Sequence, residues 1–341
     1  MSPRRVLITG VGGSIGCHVL RHLLKNTDWD VVGIDSFRHK GLTDRVHRVT
    51  YKHPASLPRL ALFTHDLAAP ISSLLEAKMG RIDYIINLAS LSDVGPSLDS
   101  PGYVIHNNVE LMLNVLDYAR RVGPEIFLHI STDEVYGPTD GKIAHVEWDP
   151  ILPSSAYSAS KAAQEAIGIA YWRSYGVPLL IVNLMNNFGE MQSPLKFPAM
   201  VQRFVREGTP VPIHRFGENN YGSRYYIHSR NAADAMMFML CNVAPPRHVP
   251  GAVDRPARIN VVGDRRIDNL DMAQYIADAI GKPLRWFPTN VKNNRPGHDE
   301  HYGLDGTLLR TLGWTAPLSF EQSMAETVAW YERNPEWLYP E

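Results

Sequence analysis

The stretch Val6-Leu7-Ile8-Thr9-Gly10-Val11-Gly12-Gly13-Ser14-Ile15-Gly16 decides the fold. Its first three residues are an unbroken apolar run, the pattern of a strand covered on both faces. Beyond the glycines, Cys17 to Lys25 carries a helical pattern. Gly10, Gly13 and Gly16 fit a tight strand-to-helix turn, a close approach of ligand to backbone, and close packing of helix on strand. The N–H groups opening the helix, around Ser14 and Ile15, would then face a diphosphate. A second strand, Asp30 to Ile34, ends at Asp35, roughly twenty residues on. A carboxylate there accepts a ribose 2′-hydroxyl and repels a 2′-phosphate, so NAD is expected over NADP. Arg38, close by, is the opposing signal.

The pattern continues as alternating strand and helix. Leu60 to Phe63 reads as a third strand, leading into His65-Asp66-Leu67. Asp66 reads equally as a ligand of the adenine edge or as a cap for the next segment. Tyr84 to Ala89 is a fourth strand, and the small residues at its end would let a cofactor pass over Leu88 and Ala89. From 108 to 121 apolar residues recur at helical spacing. The expectation is an α/β chain with a Rossmann-type doubly wound parallel sheet. Residues 1–182, with about 227–262 returning, form the NAD-binding part. Residues 183–226 and 263–341, rich in Pro, Gly and aromatics, form a smaller C-terminal substrate-binding lobe. Helices are expected over 227–240, over 270–280 with Gly281 as C-cap, and over 321–331.

Composition excludes several classes. Lys plus Arg (34) nearly balances Asp plus Glu (35), so no general affinity for nucleic acid or anionic membrane is expected. No apolar run approaches the ~20 residues of a membrane span. Two cysteines are too few for a disulfide framework, which points to a reducing, cytoplasmic setting. The histidines have no metal-ligand spacing, and no metal is expected.

A second constellation lies mid-chain. Ile126 to Ile130 is a buried strand that runs into Ser131-Thr132-Asp133-Glu134-Val135-Tyr136-Gly137. Adjacent carboxylates beyond a strand's carboxyl end can be pushed to different pKa values and so take different roles. Tyr157-Ser158-Ala159-Ser160-Lys161 follows. Tyr and Lys four apart share one helix face. The ammonium favours the phenolate, which can then take a hydroxyl proton.

Together Thr9-Gly-x-x-Gly-x-x-Gly16 and Tyr157-x-x-x-Lys161 resemble the extended short-chain dehydrogenase/reductase superfamily. More narrowly, Thr132-Asp133-Glu134 resembles nucleotide-sugar 4,6-dehydratases of the dTDP-glucose type. The similarity continues in Asn186-Asn187-Phe188-Gly189 with Lys196, in Asn260-Val261-Val262-Gly263, and in Arg295-Pro296-Gly297-His298-Asp299. The resemblance implies a lyase with tightly held NAD that oxidises C4 of a nucleotide-diphospho-hexose, eliminates water across C5 and C6, and returns hydride to C6. It implies Tyr157, tuned by Lys161 and aided by Thr132, at the C4 hydroxyl, with Glu134 as base at C5 and Asp133 as acid at the C6 hydroxyl. Ser92, Asn186, Asn187, Lys196, Arg224, Asn260, Arg295 and His298 would contact the sugar nucleotide. A homodimer through 108–121 and 158–175 is also implied. A C4-epimerase would have no use for Asp133, and a non-catalytic NAD-binding sensor or scaffold would need none of these groups. Departures from the family occur at Leu195, at Arg224-Tyr225-Tyr226, at Ser229-Arg230 and over 91–97, segments that bear on the identity of sugar and base.

Overall fold

The computed structural model describes residues 3–39, 41–92, 98–252, 254–290 and 299–339. Strands β1 (Arg5–Thr9), β2 (Asp30–Asp35), β3 (Leu60–Thr64), β4 (Tyr84–Asn87), β5 (Ile126–Thr132), β6 (Leu179–Leu184) and β11 (Ala257–Val261) form one sheet. Its order is β11-β6-β5-β4-β1-β2-β3, and every pairing is parallel. The chain reverses direction across the sheet between β1 and β4, the switch point where such sheets open a crevice.

Side-chain alternation splits the strands between two cores. Val6, Ile8, Leu128 and Val182 pack on one face, Leu7, Ile85, Phe127 and Ile181 on the other. Helices α1 (Gly16–Asn26), α2 (Leu42–Tyr51) and α7 (Ser229–Asn242) cover the first face. Helices α3 (Ser73–Met79), α4 (Pro101–Val122) and α5 (Ala156–Tyr175) lie over the second. Helix α4 starts well before residue 108, because Pro101 opens it and Gly123, at φ 62°, closes it. A capping box between Ser155 and Ser158 fixes the start of α5, and with it the direction of the Tyr157–Lys161 face. The helix expected from residue 227 is preceded by the short strand β10 (Ile227–His228), since the His228 ring accepts from Arg230 N and caps the helix there.

The remaining elements gather beyond the carboxyl ends of the strands. Helices α6 (Phe197–Glu207), α8 (Asn269–Ile280) and α10 (Phe320–Arg333) share a third core with Val211, Ile213 and Ile267. Small sheets pair β7 (Asn187–Phe188) with β10, β8 (Val211–Arg215) with β13 (Trp286–Asn290), and β9 (Ser223–Tyr225) with β12 (Arg266–Asp268). The short helix α9 (Thr307–Thr311) follows. Gly281 caps α8 in the left-handed conformation, as expected. Among the described residues no helix is long and apolar enough to cross a membrane.

Candidate active site

A cavity of about 800 Å³ runs across the carboxyl ends of the strands. One end is built by backbone. Gly10 turns with φ +70°, and a Cβ on it would meet the Ala89 backbone at 3.0 Å. A Cβ on Gly16 would lie 2.1 Å from the Gly10 carbonyl oxygen, so the turn tolerates no side chain there. Gly10, Gly13, Ser14, Ile15 and Gly16 all line the cavity, and no side chain caps α1. Asp35, at the end of β2, accepts from Gly12 N (3.0 Å) and Phe37 N (3.1 Å) and also reaches the cavity. Leu67, Leu88 and Ala89 complete this wall. Asp66 lines the cavity as well. It accepts from Ala68 N in its own turn and pairs with Arg38 at 2.8 Å. Arg38 also donates to Asn107, so the cation that argued for a 2′-phosphate has two partners within the protein.

The other end is built by side chains. Thr132, Asp133 and Glu134 continue from β5 and line the cavity together with Tyr157 and Lys161. The Thr132 hydroxyl donates to Asp133 Oδ1 at 2.9 Å and accepts from Glu134 N at 3.3 Å, closing the short turn. Asp133 is buried. Burial pushes its carboxyl up to about 6, despite the Thr132 hydrogen bond and the charge of Arg224. Its Oδ2 has no hydrogen-bond partner among the described residues. Lys161 Nζ donates to the Ile130 carbonyl (2.7 Å) and to Gln164 Oε1 (2.5 Å), and burial pushes it down to about 7 against the pull of Glu165. Tyr136 turns the other way: its hydroxyl sits between Glu147 O and Asn183 in the core behind the loop.

Ser92, Asn186, Asn187, Lys196 and Arg224 also line the cavity. Lys196 Nζ donates to Ser92 O at 3.1 Å. Asn186 Oδ1 and Asn187 Nδ2 are buried without a hydrogen-bond partner among the described residues. Arg224 donates to the carbonyls of Ser223, Glu300 and Asp299, each at 2.7 Å, and stacks over Tyr302 at 4.4 Å. Its first role is thus to fix the segment that carries Tyr302.

Asn260 stands apart from these residues. It lies on β11 outside the cavity, and its amide donates to the carbonyls of His145 and Asp305. The Asn-Val-Val-Gly motif ends an edge strand rather than lining the ligand site. Arg295 and His298 lie outside the described residues. Sequence reasoning missed Tyr302, Met200 and His214, all in the cavity wall with Tyr226 of the Arg224-Tyr225-Tyr226 segment. For Tyr302 the signal was its position shortly after the Arg-Pro-Gly-His-Asp element. Met200 lies within α6 and His214 within β8, and neither has a spacing that marks it.

Fold and site together define a dinucleotide-dependent enzyme scaffold of the Tyr-x-x-x-Lys kind. The chain belongs to the NAD dependent epimerase/dehydratase family, whose profile matches residues 6–250. A dTDP-glucose 4,6-dehydratase of Neisseria meningitidis serogroup B is 29% identical, over 98% of this chain and 95% of its own length. A trifunctional UDP-glucose 4,6-dehydratase/UDP-4-keto-6-deoxy-D-glucose 3,5-epimerase/UDP-4-keto-L-rhamnose-reductase of Arabidopsis thaliana is 32% identical over 98% of this chain, which spans only 48% of that relative. The crystal structure of a dTDP-glucose 4,6-dehydratase from Streptomyces venezuelae, with NAD and TYD bound, superposes with a TM-score of 0.85. It is 27% identical and covers 98% of this chain and 99% of its own.

Proposed function

We infer that the protein is an NAD-dependent 4,6-dehydratase acting on a nucleotide-diphospho-hexose of the dTDP- or UDP-glucose class. The glycine turn that admits no Cβ and the Asp35 carboxylate at the ribose position fit NAD. When bound, NAD supplies an acceptor for the C4 hydride and later returns it to C6. The protein's own residues do the rest. Tyr157 takes the C4 hydroxyl proton, with Lys161 favouring its phenolate and the Thr132 hydroxyl at the same oxygen. A carbonyl at C4 acidifies the C5 proton, which Glu134 removes. Asp133 donates a proton to the departing C6 hydroxyl and water leaves; as hydride reaches C6, Glu134 returns its proton to C5, so the proton lost by Asp133 is balanced by the one Tyr157 took from the C4 hydroxyl. Asn186, Asn187, Lys196 and Arg224 hold the sugar and diphosphate, with 183–226 and 263–341 closing over them. We also propose a homodimer through α4 and α5 and a cytoplasmic setting.

The observation that carries this reading is Asp133. A buried carboxyl, raised toward neutrality and with one oxygen left over, suits an acid that must be protonated near its working pH. An epimerase needs no such group. Incubating the protein with dTDP-glucose and UDP-glucose tests both readings. A product lighter by one water supports dehydration. A C4 epimer of unchanged mass rejects it, and retained NAD binding without turnover on either sugar leaves the non-catalytic reading.

A further inference from the structure

Lys161 lies deep between α5, α4 and β5, and the protein offers it few partners. The Ile130 carbonyl takes one hydrogen of its ammonium and Gln164 Oε1 a second, leaving the third for a group in the cavity. Gln164 is itself fully buried. Its Nε2 donates to the Asn108 main-chain carbonyl at 2.6 Å, in the middle of α4. The Asn108 side chain in turn donates to Leu91 O and Ser160 Oγ and accepts from Leu91 N. Ser160 closes the circuit by donating to the Tyr157 carbonyl. One amide therefore faces two ways, oxygen toward the ammonium and nitrogen toward the neighbouring helix. A buried amide with both ends satisfied has a fixed orientation.

We propose that Gln164 is a positioning residue for the reaction: it aims and charges Lys161 from behind, holding the ammonium toward Tyr157 and the cavity. The inference rests on the Tyr157–Lys161 roles given above. A buried cation needs acceptors within reach, or it loses its proton. The Ile130 carbonyl belongs to the sheet and cannot be tuned by a side chain. Gln164 can. Among the described residues, Glu165 on its own helix and His129 on β5 interact with the charge of Lys161, and Tyr157, Asp133 and Glu134 line the same cavity. Arg258 of β11 stands behind Glu165, bonded to it at 2.6 Å. Burial first, and then Lys161 and Arg258, keep His129 neutral. Helix α4 reaches Lys161 through Gln164.

The test compares Gln164→Met with Gln164→Glu. Both lose the Nε2 donor to α4, so both carry the same structural loss, which a melting curve measures. They differ at the ammonium. Methionine presents no strong acceptor, whereas glutamate presents a negative one. The readout is the titration midpoint of Lys161, followed by NMR of side-chain-labelled lysine in the NAD-loaded protein. The pH profile of kcat accompanies it. Gln164→Met should lower the midpoint by about one unit or more and cut kcat at neutral pH about ten-fold, with KM little changed. Gln164→Glu should raise the midpoint above the wild-type value and extend activity to higher pH. If both variants move the midpoint the same way, or neither moves it, Gln164 is only a cross-brace between helices. Should Gln164→Met fail to fold, the upward shift in Gln164→Glu still decides. The titration needs only protein and NAD, so it remains readable if the wild-type protein dehydrates no sugar nucleotide.

Discussion

Two carboxylates sit at nearly equal depth in this molecule and have opposite characters. Asp133, in the turn after β5, is 2% exposed, and Glu190, in the loop after β7, is 6% exposed. Burial works against the charge of both. At Asp133 it prevails, and the carboxyl rises to about 6. At Glu190 it is outweighed by His228 Nε2 at 3.2 Å, by His18 and by Arg230, which hold the group below the usual carboxylate range. Depth alone does not set the character of a carboxyl, and neither does an oxygen without a hydrogen bond, since Glu190 Oε2 and Asp133 Oδ2 share that state among the described residues. What matters is whether basic groups lie within reach. Glu190 has the His228 and His18 rings at 3.2 and 3.7 Å and Arg230 at 3.5 Å, and so ties α1, the loop and α7 together, whereas no such pair forms at Asp133 among the described residues.

The comparison can be broken in order of expected effect. Asp133→Asn should remove dehydration by about a hundred-fold or more, while C4 oxidation stays measurable as reduced cofactor in a single turnover. Product formation at the wild-type rate would strip Asp133 of its role. Glu190→Gln should behave oppositely, with kcat largely kept and stability falling by about 1–3 kcal/mol in denaturant titration, the loss expected when a charged group among buried polar partners is replaced. A variant as stable as wild type would show that the cluster is ornamental.

The pH dependence sharpens the contrast. Burial lowers His18 to about 4 from 6.5. Its folded pKa is depressed, so the unfolded chain takes up the proton first as pH falls. Stability present above pH 6.5 is then lost progressively down to about 4. The loss is on the order of 3 kcal/mol, and His18→Asn should flatten that part of the profile. Asp133 should act through rate instead. In the role proposed for it the protonated form donates, so kcat/KM of the free enzyme should fall as pH rises past about 6. The smallest effect is expected at Asn260. Asn260→Ala should leave KM unchanged and cost about 1–3 kcal/mol through the orphaned carbonyls. A large rise in KM would restore it to the substrate site.

The cofactor end was legible in the sequence because its geometry is covalent. Only glycine fits at 10 and 16, so those letters state their own conformation. The Tyr157–Lys161 face was legible because helical spacing alone aligns it. The sugar end was less so. Whether Asn260 reaches a ligand depends on which side of β11 it faces and on the carbonyls of two distant loops. Arg224 carried phosphate chemistry in its side chain, yet three main-chain oxygens claim it first. Gln164 looked like any polar residue within an alanine-rich helix, and only the packing of α5 on α4 gives its amide two addresses.

Thr9 carries a consequence for the whole crevice. Its hydroxyl donates to Asn87 Oδ1 at 2.6 Å and accepts from the amides of Leu88 and Ala89. One oxygen atom therefore rivets the two halves of the sheet where their connectivity diverges, beside the Gly10, Leu88 and Ala89 wall of the cavity. The gap there is set by a bond length rather than by bulk, which serine can reproduce and valine, despite its matching shape, cannot.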